Sequence, residues 1–215
     1  MKKLVCGSLV LVASLAFADA KKEKGPMPPT MKPPTPPAEL KVLEFLVGDW
    51  TCDGKHEPGP MGPGFPYKAK MMYRMALGDF WIMFSGEQEK TKENPMAHGD
   101  TGMMTFDPAT KKYMVTVFFP GPGWVNASAG AFEGDKQVWN GDGIMMGKHM
   151  TGRHTFTKKS DTEYTSMFEM SPDGKTWAKT GEETCKKGKT CVENVLCVIG
   201  SHFDTNACKC VPNAK

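Results

Sequence analysis

The sequence predicts an all-β protein: an antiparallel up-and-down β-barrel of about ten strands, with a short N-terminal helix and a cysteine-rich C-terminal tail. Two observations predict the barrel. After Gly48 the apolar residues recur at a period of two, and turn residues recur roughly every ten residues. No comparable helical run interrupts this series. Consecutive strands should therefore pair with one another, and closing the sheet removes the exposed edges that an open sheet would leave.

The first twenty residues, MKKLVCGSLVLVASLAFADA, have a basic start, an apolar core and small residues at the end. This pattern is typical of a secretory signal peptide cut before Lys21. The apolar run from Leu4 to Phe17 is shorter than the roughly 20 residues that span a bilayer, and no second such run follows. We therefore expect no membrane span and a periplasmic or secreted protein.

The formal net charge of +3 comes from basic and acidic residues that are mixed along the whole chain. A nucleic-acid surface needs a clustered basic face, and none is visible. The composition therefore predicts no nucleic-acid partner. A hydrophobic content of 40% is enough for one good core.

The segment 21–37 holds seven of the seventeen prolines and no aromatic residue, so it predicts an extended linker. In the following PAELKVLEFLVG, Leu40, Leu43 and Leu46 recur at near-helical spacing and Gly48 is a plausible stop, which predicts a short helix of about ten residues. The predicted division of the chain is a signal peptide at 1–20, a linker at 21–37, a barrel domain at 38–186 and a tail at 187–215.

Ten segments are expected to be strands, with ends placed to within two to four residues. They are Asp49–His56, Tyr67–Ala76, Phe80–Glu87, Gly99–Phe106, Lys112–Phe119, Trp124–Phe132, Gln137–Met145, Lys148–Thr157, Glu163–Met170 and Thr176–Thr184. Between them, DPATKK at 107–112, EGDK at 133–136, KKSD at 158–161 and SPDGK at 171–175 have the composition of turns.

Six cysteines remain once Cys6 leaves with the signal peptide. An even number in an exported chain predicts three disulfides, and six cysteines allow fifteen connectivities. If the first and last strands are neighbours in a closed barrel, Cys52 and Cys185 could approach each other. That hypothesis leaves four cysteines for the two bridges of a stapled tail. They are Cys191, Cys197, Cys208 and Cys210.

Methionine is unusually frequent, at 17 residues. Flexible thioethers fill irregular cores and also line adaptable apolar cavities, and alternate residues of each barrel strand point inward. We therefore expect a lumen lined by methionine and aromatic side chains, although the register decides which alternate set faces inward. The candidate ligand-binding residues are Trp50, Met72, Trp81, Met83, Met104, Met114, Trp139 and His154.

A weak copper candidate lies at Met146, His149 and Met150, because thioether and imidazole ligands suit monovalent copper. If Gly147 and Lys148 form a two-residue hairpin loop, Met146 and His149 face each other across the strands. Methionine-rich turns without further ligands more often serve packing. No metal site is therefore predicted.

The sequence contains no Gly-x-Ser-x-Gly elbow and no His-Glu-x-x-His pair. An acid–base site at the mouth of a pocket stays open as an alternative, with five candidate residues. They are His56, His98, Asp100, Arg153 and Glu169. The absence of a motif favours a binding module over an enzyme.

Three segments carry a family resemblance: FLVGDWTCDG, HGDTGMMTFDPATKKYMVTVFF and FEMSPDGKTWAKTGEET. The Gly48-Asp49-Trp50 start resembles that of the calycin barrels, which include lipocalins, fatty-acid-binding proteins and the nitrobindin-like group. The three segments together resemble a bacterial exported domain family of unassigned function within that superfamily. The resemblance implies a lipocalin-like barrel in which Trp50 closes one end.

The nitrobindin-like group also implies haem, bound from inside the barrel by a late histidine. The final strand of this sequence, in TWAKTGEETCKK, has no histidine, and His154 lies two strands earlier. No cofactor is therefore predicted.

The predicted function is that of an exported β-barrel that binds a small apolar or amphipathic molecule in its lumen. One alternative is a structural or interaction protein whose barrel is filled by its own side chains. Another is an enzyme that acts on a small ligand at the barrel mouth. The identity of the ligand and the oligomeric state are left open.

Overall fold

The chain folds into a closed barrel of ten antiparallel strands, as the sequence predicts. The structure is a computed structural model that describes residues 34–59, 62–95, 97–145, 147–188, 201–204 and 209–212. The expected signal peptide, most of the proline-rich linker and much of the tail lie outside these residues.

The barrel strands follow one another without interruption. Their bounds are Gly48–His56 (β1), Phe65–Ala76 (β2), Trp81–Gln88 (β3), Gly99–Asp107 (β4), Lys112–Phe119 (β5), Gly123–Ala129 (β6), Lys136–Met145 (β7), Lys148–Lys158 (β8), Glu163–Ser171 (β9) and Ala178–Lys187 (β10). Each strand pairs with its neighbour in the chain, and β1 closes the barrel by pairing with β10.

Two strands differ from their expected bounds by more than two residues at one end, the sixth and the tenth, which also ends at Lys187 rather than Thr184. The sixth ends at Ala129 rather than Phe132, because the chain turns before Glu133 and Lys136, which bond to each other across the turn. The tenth begins at Ala178 rather than Thr176. The carboxylate of Asp173 accepts hydrogen bonds from the backbone N–H groups of residues 175 and 176, and this holds them in the turn.

The N-terminal helix is a 3₁₀ helix at Ala38–Leu46. A 3₁₀ helix has three residues per turn, so the spacing of Leu40, Leu43 and Leu46 places all three on one face. That face is buried against the barrel core. The indole Nε1 of Trp50 donates a hydrogen bond to the carbonyl of Leu46 at 2.6 Å, which ties the helix to the first strand.

The two ends of the barrel differ. The helix and the turns that follow β2, β4, β6 and β8 lie at one end, which we call the closed end. The loops that follow β1, β3, β5, β7 and β9 lie at the other, the open end. Tyr113, near the closed end, donates a hydrogen bond to the carbonyl of Glu39 at 3.0 Å. The helix is therefore fixed to β5 as well as to β1.

A disulfide joins the first and last strands of the barrel. Cys52 of β1 lies opposite Cys185 of β10, and both side chains are buried in the core. Closure of the barrel thus brings together the two cysteines that the sequence analysis paired as a hypothesis. Cys191, Cys197 and Cys208 lie outside the described residues, and only the backbone of Cys210 is described.

The tail contains a short antiparallel hairpin of Ser201–Asp204 (β11) and Lys209–Pro212 (β12), which the sequence analysis did not predict. Within the described part of the chain, no helix is long and apolar enough to cross a membrane.

Replacing both Cys52 and Cys185 by Ala is expected to lower the free energy of unfolding by about 2–5 kcal/mol, because the bridge closes a loop across a sequence separation of 133. Urea unfolding of the oxidised proteins, followed by tryptophan fluorescence, measures this loss. The tail cysteines stay in both proteins, so any effect of theirs cancels. A loss below about 1 kcal/mol would show that strand pairing closes the barrel without help from the bridge.

Candidate functional site

Alternation along the strands decides which side chains face the lumen. In β2 and β3 the buried residues Tyr73 and Ile82 face inward, so their neighbours face outward. Four of the candidate ligand-binding residues therefore lie on the outer face, and the expectation that they line the lumen is wrong. They are Met72, Trp81, Met83 and Met114, of which the last two are 39% and 45% exposed.

The other four candidates face inward. Trp50, Met104 and Trp139 are buried in the closed half of the barrel, where they form part of the core. Trp50 also packs against Tyr164, with ring centroids 4.8 Å apart. Its place under the helix is that of a plug, as the resemblance implies. His154 lies in the middle of β8, directly opposite Trp139 of β7.

Many inward-facing residues of the open half are partly exposed, although Tyr67, Ala69 and Phe84 are buried there, whereas those of the closed half are mostly buried. In a closed barrel an inward side chain can meet solvent only through the lumen, so the lumen is accessible from the open end. Its apolar wall is formed by strands β5 to β9. The inward residues of this apolar wall are Val117, Val125, Ala127, Gly152 and Phe168.

Glycines inside the barrel show where the lumen is filled and where it is empty. A Cβ at Gly54 would meet the ring of Tyr67, and one at Gly102 would meet the ring of Phe84. Neighbouring aromatic rings therefore occupy these positions. At Gly152 the nearest atom to a Cβ is the carbonyl oxygen of Glu169, at 3.9 Å. The apolar wall thus faces unfilled space at Gly152.

A polar wall stands on the other side of the open half, on strands β1 to β4 and β10. Its central group is Glu183, an inward residue of β10 that lies two residues before Cys185, on the open-end side of the disulfide. The Tyr67 hydroxyl donates a hydrogen bond to its carboxylate at 3.0 Å. Burial raises the pKa of Glu183 to about 7, and the nearby charge of Asp100 adds to this effect. Burial likewise raises the pKa of Asp100.

Two tyrosines lie below this wall. The hydroxyls of Tyr73 and Tyr164 are 3.2 Å apart and hydrogen-bonded, and that of Tyr164 is 4.0 Å from the sulfur of Cys52. Burial raises the pKa of both tyrosines, so both stay neutral at physiological pH. The floor of the open half is therefore neutral.

The rim of the polar wall is a chain of hydrogen bonds. The buried side chain of Asn94 donates to Gln88 at 2.9 Å, and Gln88 lies 3.2 Å from the ring nitrogen of His56. Burial lowers the pKa of His56, and the neighbouring His98 lowers it further. A pocket of about 390 Å³ opens beside this rim, lined by Gln88, His98 and charged residues of the loop after β3. Most residues that line this pocket are charged or polar.

His154 is the inward histidine of β8. Its ring stacks on Phe168 with centroids 4.6 Å apart, and its Nε2 atom is buried without a hydrogen-bond partner. Burial lowers the pKa of His154 to about 4, so the imidazole is neutral at physiological pH.

The structure divides the five acid–base candidates. His56, His98 and Asp100 come together at the rim and polar wall of the open half. Arg153 and Glu169 instead form a two-bond ion pair on the outer face, with N···O distances of 2.7 and 2.8 Å. Both face outward, because Arg153 is adjacent to the inward His154 and Glu169 is adjacent to the inward Phe168. The five candidates therefore do not converge at one site.

The copper candidates do not converge within the described residues. Met145 pairs with Lys148, so the hairpin connection lies one residue earlier than expected. His149 faces outward, 3.5 Å from the carboxylate of Asp142, and Met150 faces the opposite side of the strand. Met146 lies outside the described residues.

One cluster of potential metal ligands does occur in the described chain. It consists of Cys52, Cys185 and Glu183, whose ligand atoms lie within 4.8 Å of one another. The two sulfurs are bonded to each other, so neither is a thiolate that could ligate a metal.

The family described as "Protein of unknown function (DUF1579)" matches residues 35–187, which include the helix and all ten barrel strands. The chain belongs to this family. No curated protein matches the sequence.

Two solved structures have a similar fold. Rv2717c from M. tuberculosis is similar with a TM-score of 0.58 at 13% identity, and the match covers 72% of this chain and 100% of that chain. The S-type phycobiliprotein lyase CPES from Guillardia theta is similar with a TM-score of 0.51 at 10% identity, covering 70% of this chain and 92% of that one. These likenesses support the barrel fold. The nitrobindin-like resemblance and export stay predictions.

Sequence reasoning missed Glu183 and Tyr67, which are central to the polar wall. A usable signal for Glu183 was its position two residues before Cys185 on a strand, because alternate residues share a face. Pairing Cys185 with Cys52 inside the barrel therefore also places Glu183 inside. Tyr67 had no such marker, because it lies at the uncertain start of its strand.

The raised pKa of Glu183 predicts a specific pH dependence. Between pH 4.5, the ordinary pKa, and about 7, the folded protein binds more protons at this site than the unfolded chain. The free energy of unfolding therefore falls as pH rises through this window, on the order of 3 kcal/mol at full effect. Glu183→Gln cannot ionise and lacks this decline. Its stability relative to wild type should thus increase between pH 5 and pH 8 in urea unfolding.

Glu182→Gln is the matched control for this experiment, because Glu182 is the adjacent residue and faces outward beside Lys179. It should leave the pH profile close to that of the wild type. If the profiles of Glu183→Gln and wild type run parallel, the carboxyl of Glu183 keeps an ordinary pKa in the folded protein.

Proposed function

We propose that this protein is an exported binding protein that holds a small apolar or amphipathic molecule in the open half of its lumen. The observation that carries the proposal is the contrast between the two halves of the barrel. Inward residues are mostly buried in the closed half, whereas those of the apolar wall in the open half are partly exposed and the space before Gly152 is empty. Concave, largely apolar sites with a few polar groups are typical of small-molecule binding.

Export is part of the same proposal. Support comes from the signal-like first twenty residues and from the disulfide between Cys52 and Cys185, since disulfides persist in oxidising compartments. The periplasm and the extracellular space both meet this condition. The similar solved structures support the fold of this proposal and not the choice of ligand, because their identities to this chain are only 10–13%.

Gly152→Leu tests the binding site. A leucine here should fill the empty space with little strain and weaken the binding of N-phenyl-1-naphthylamine, a neutral fluorescent probe of apolar sites, by about tenfold or more. Fluorescence titration measures the dissociation constant. Thr151→Leu is the control, because Thr151 is adjacent and faces outward, and this variant should bind as the wild type does.

Three outcomes separate the alternatives. Loss of binding in Gly152→Leu alone supports a lumen site. A wild-type protein that binds no probe favours the structural alternative with a self-filled barrel. Equal binding by both variants places the probe elsewhere, for example in the polar pocket at the rim, and favours a site at the mouth.

A second candidate function is haem binding, which the nitrobindin resemblance implies. The observation that favours it is the buried, unpartnered Nε2 of His154, a neutral imidazole next to the apolar wall. In this case His154 would hold the iron, and Val117, Val125 and Ala127 are apolar groups available to the porphyrin. Bound haem would supply its iron as a site for a gaseous ligand or for electron transfer.

Titration with haemin tests this candidate. The wild type should give a shifted Soret band with one equivalent, and His154→Ala should lose that shift. His149→Ala is the control, because His149 is exposed on the outer face of the same strand. A Soret shift that survives in His154→Ala would show that haemin binds without this ligand, contrary to the expectation.

A further inference from the structure

The polar wall contains two inward carboxyl groups and no Lys or Arg partner for them. Glu183 and Asp100 face the lumen from β10 and β4, and the charge of Asp100 raises the pKa of Glu183. Among the described residues, no Lys or Arg faces inward from the strands of the polar wall in the open half, and Lys148, at the exposed open-end start of β8, is on a strand of the apolar wall. Lysines of the same strands face outward, where Lys68 and Lys179 form ion pairs with other acidic residues.

The one inward lysine of β10 is already engaged at the closed end. Lys187 donates a hydrogen bond to the carbonyl of Phe45 at 2.7 Å and lies over the ring of Trp50. It lies four residues after Glu183 on the same face of β10, on the closed-end side of the disulfide. Within the described chain, Glu183 therefore has no Lys or Arg partner, and Asp100 is influenced only by the charge of His98 at the rim. Buried carboxylates are usually paired with a cation.

An unpartnered hydroxyl lies beside Glu183. Ser166 of β9 is directly opposite Glu183, faces inward and is 3% exposed. Its hydroxyl oxygen is buried and makes no hydrogen bond of good geometry within the described residues, although it lies close enough to the carboxylate of Glu183 to lower the pKa of that group. A buried hydroxyl without a partner is costly unless a ligand or water satisfies it. The site thus offers a carboxylate and a hydroxyl acceptor side by side.

We propose that the ligand of the lumen is a small amphipathic amine, whose ammonium group binds Glu183 and Ser166 with Asp100 nearby and whose apolar part lies along the apolar wall. This inference rests on the proposed function and names the chemical class that the same site takes. An ammonium group has three N–H donors and no acceptor, which matches a set of acceptors without a cation.

Other head groups fit the polar wall less well. A fatty acid would bring a third carboxylate to a site that already has two, and like charges in a buried site repel one another. A neutral alcohol could bond to Ser166 but would leave the carboxylate charge unpaired. The neutral floor and His154 add no positive charge that would repel an ammonium group.

Three probes of equal chain length separate these classes: octylammonium, octanoate and 1-octanol. Each is titrated against N-phenyl-1-naphthylamine bound to the oxidised protein at pH 8, where the carboxyl of Glu183 is largely ionised. The wild type should bind octylammonium about tenfold or more tightly than octanoate, because a hydrogen bond between charged groups is a strong one. Isothermal titration calorimetry checks the displacement values.

Glu183→Gln should remove most of this preference by weakening octylammonium about tenfold, and it should leave 1-octanol nearly unchanged. Glu182→Gln should keep the preference of the wild type, because its side chain faces outward. Asp100→Asn gives a second variant at the polar wall and should weaken octylammonium by a smaller factor.

The outcomes distinguish the two proposals. If the protein binds N-phenyl-1-naphthylamine but octanoate displaces it as well as octylammonium does, the amine proposal is overturned and the lumen site remains. The same conclusion holds if Glu183→Gln keeps the full preference. If the wild type binds neither the fluorescent probe nor any chain, both the amine proposal and the proposed function are overturned.

Discussion

The pairing of β1 with β10 is the contact on which the rest of the molecule depends. It turns an open meander into a closed barrel and creates an inside from which a ligand site can be built. Cys52 and Cys185 lock this pair covalently at its centre. The same strand pair also makes the two ends of the barrel different. Trp50 and Lys187 both bond to carbonyls of the helix, so closing the barrel and plugging one end are a single event.

This asymmetry explains why the two halves of the interior have different compositions. Below the disulfide, aromatic rings and the leucines of the helix exclude water. On the open-end side of the disulfide, large side chains are distributed unevenly around the barrel. On the polar side, the rings of Tyr67 and Phe84 lie over Gly54 and Gly102, whereas the opposite side has Val, Ala and an uncovered Gly152. The lumen is therefore displaced towards strands β5 to β9, with its acidic groups on the facing wall.

The sequence predicted the fold well, because strand alternation and turn composition are local signals that agree along the chain. All ten strands were placed within two residues at their starts, and the disulfide followed from closure alone. The candidate site was predicted less well. In β2 the alternate set that contains Met72 also contains Lys68, Lys70 and Arg74, so periodicity already indicates that Met72 faces outward. In β3 both alternate sets begin with apolar residues, so no periodicity distinguishes Met83 from Ile82. Tight turn geometry and packing decide between them, and neither is readable from composition.

The position of Glu183 is an argument for function in its own right. A glutamine there could still accept the hydrogen bond from Tyr67, and it would not incur the cost of a charge in a buried site. A purely structural barrel would gain stability from that exchange at neutral pH. Buried groups with shifted pKa values concentrate at functional sites, where binding or chemistry offsets their cost. A carboxyl held at the bottom of an accessible lumen, beside the unpartnered hydroxyl of Ser166, is therefore better explained by what the barrel binds than by how it folds.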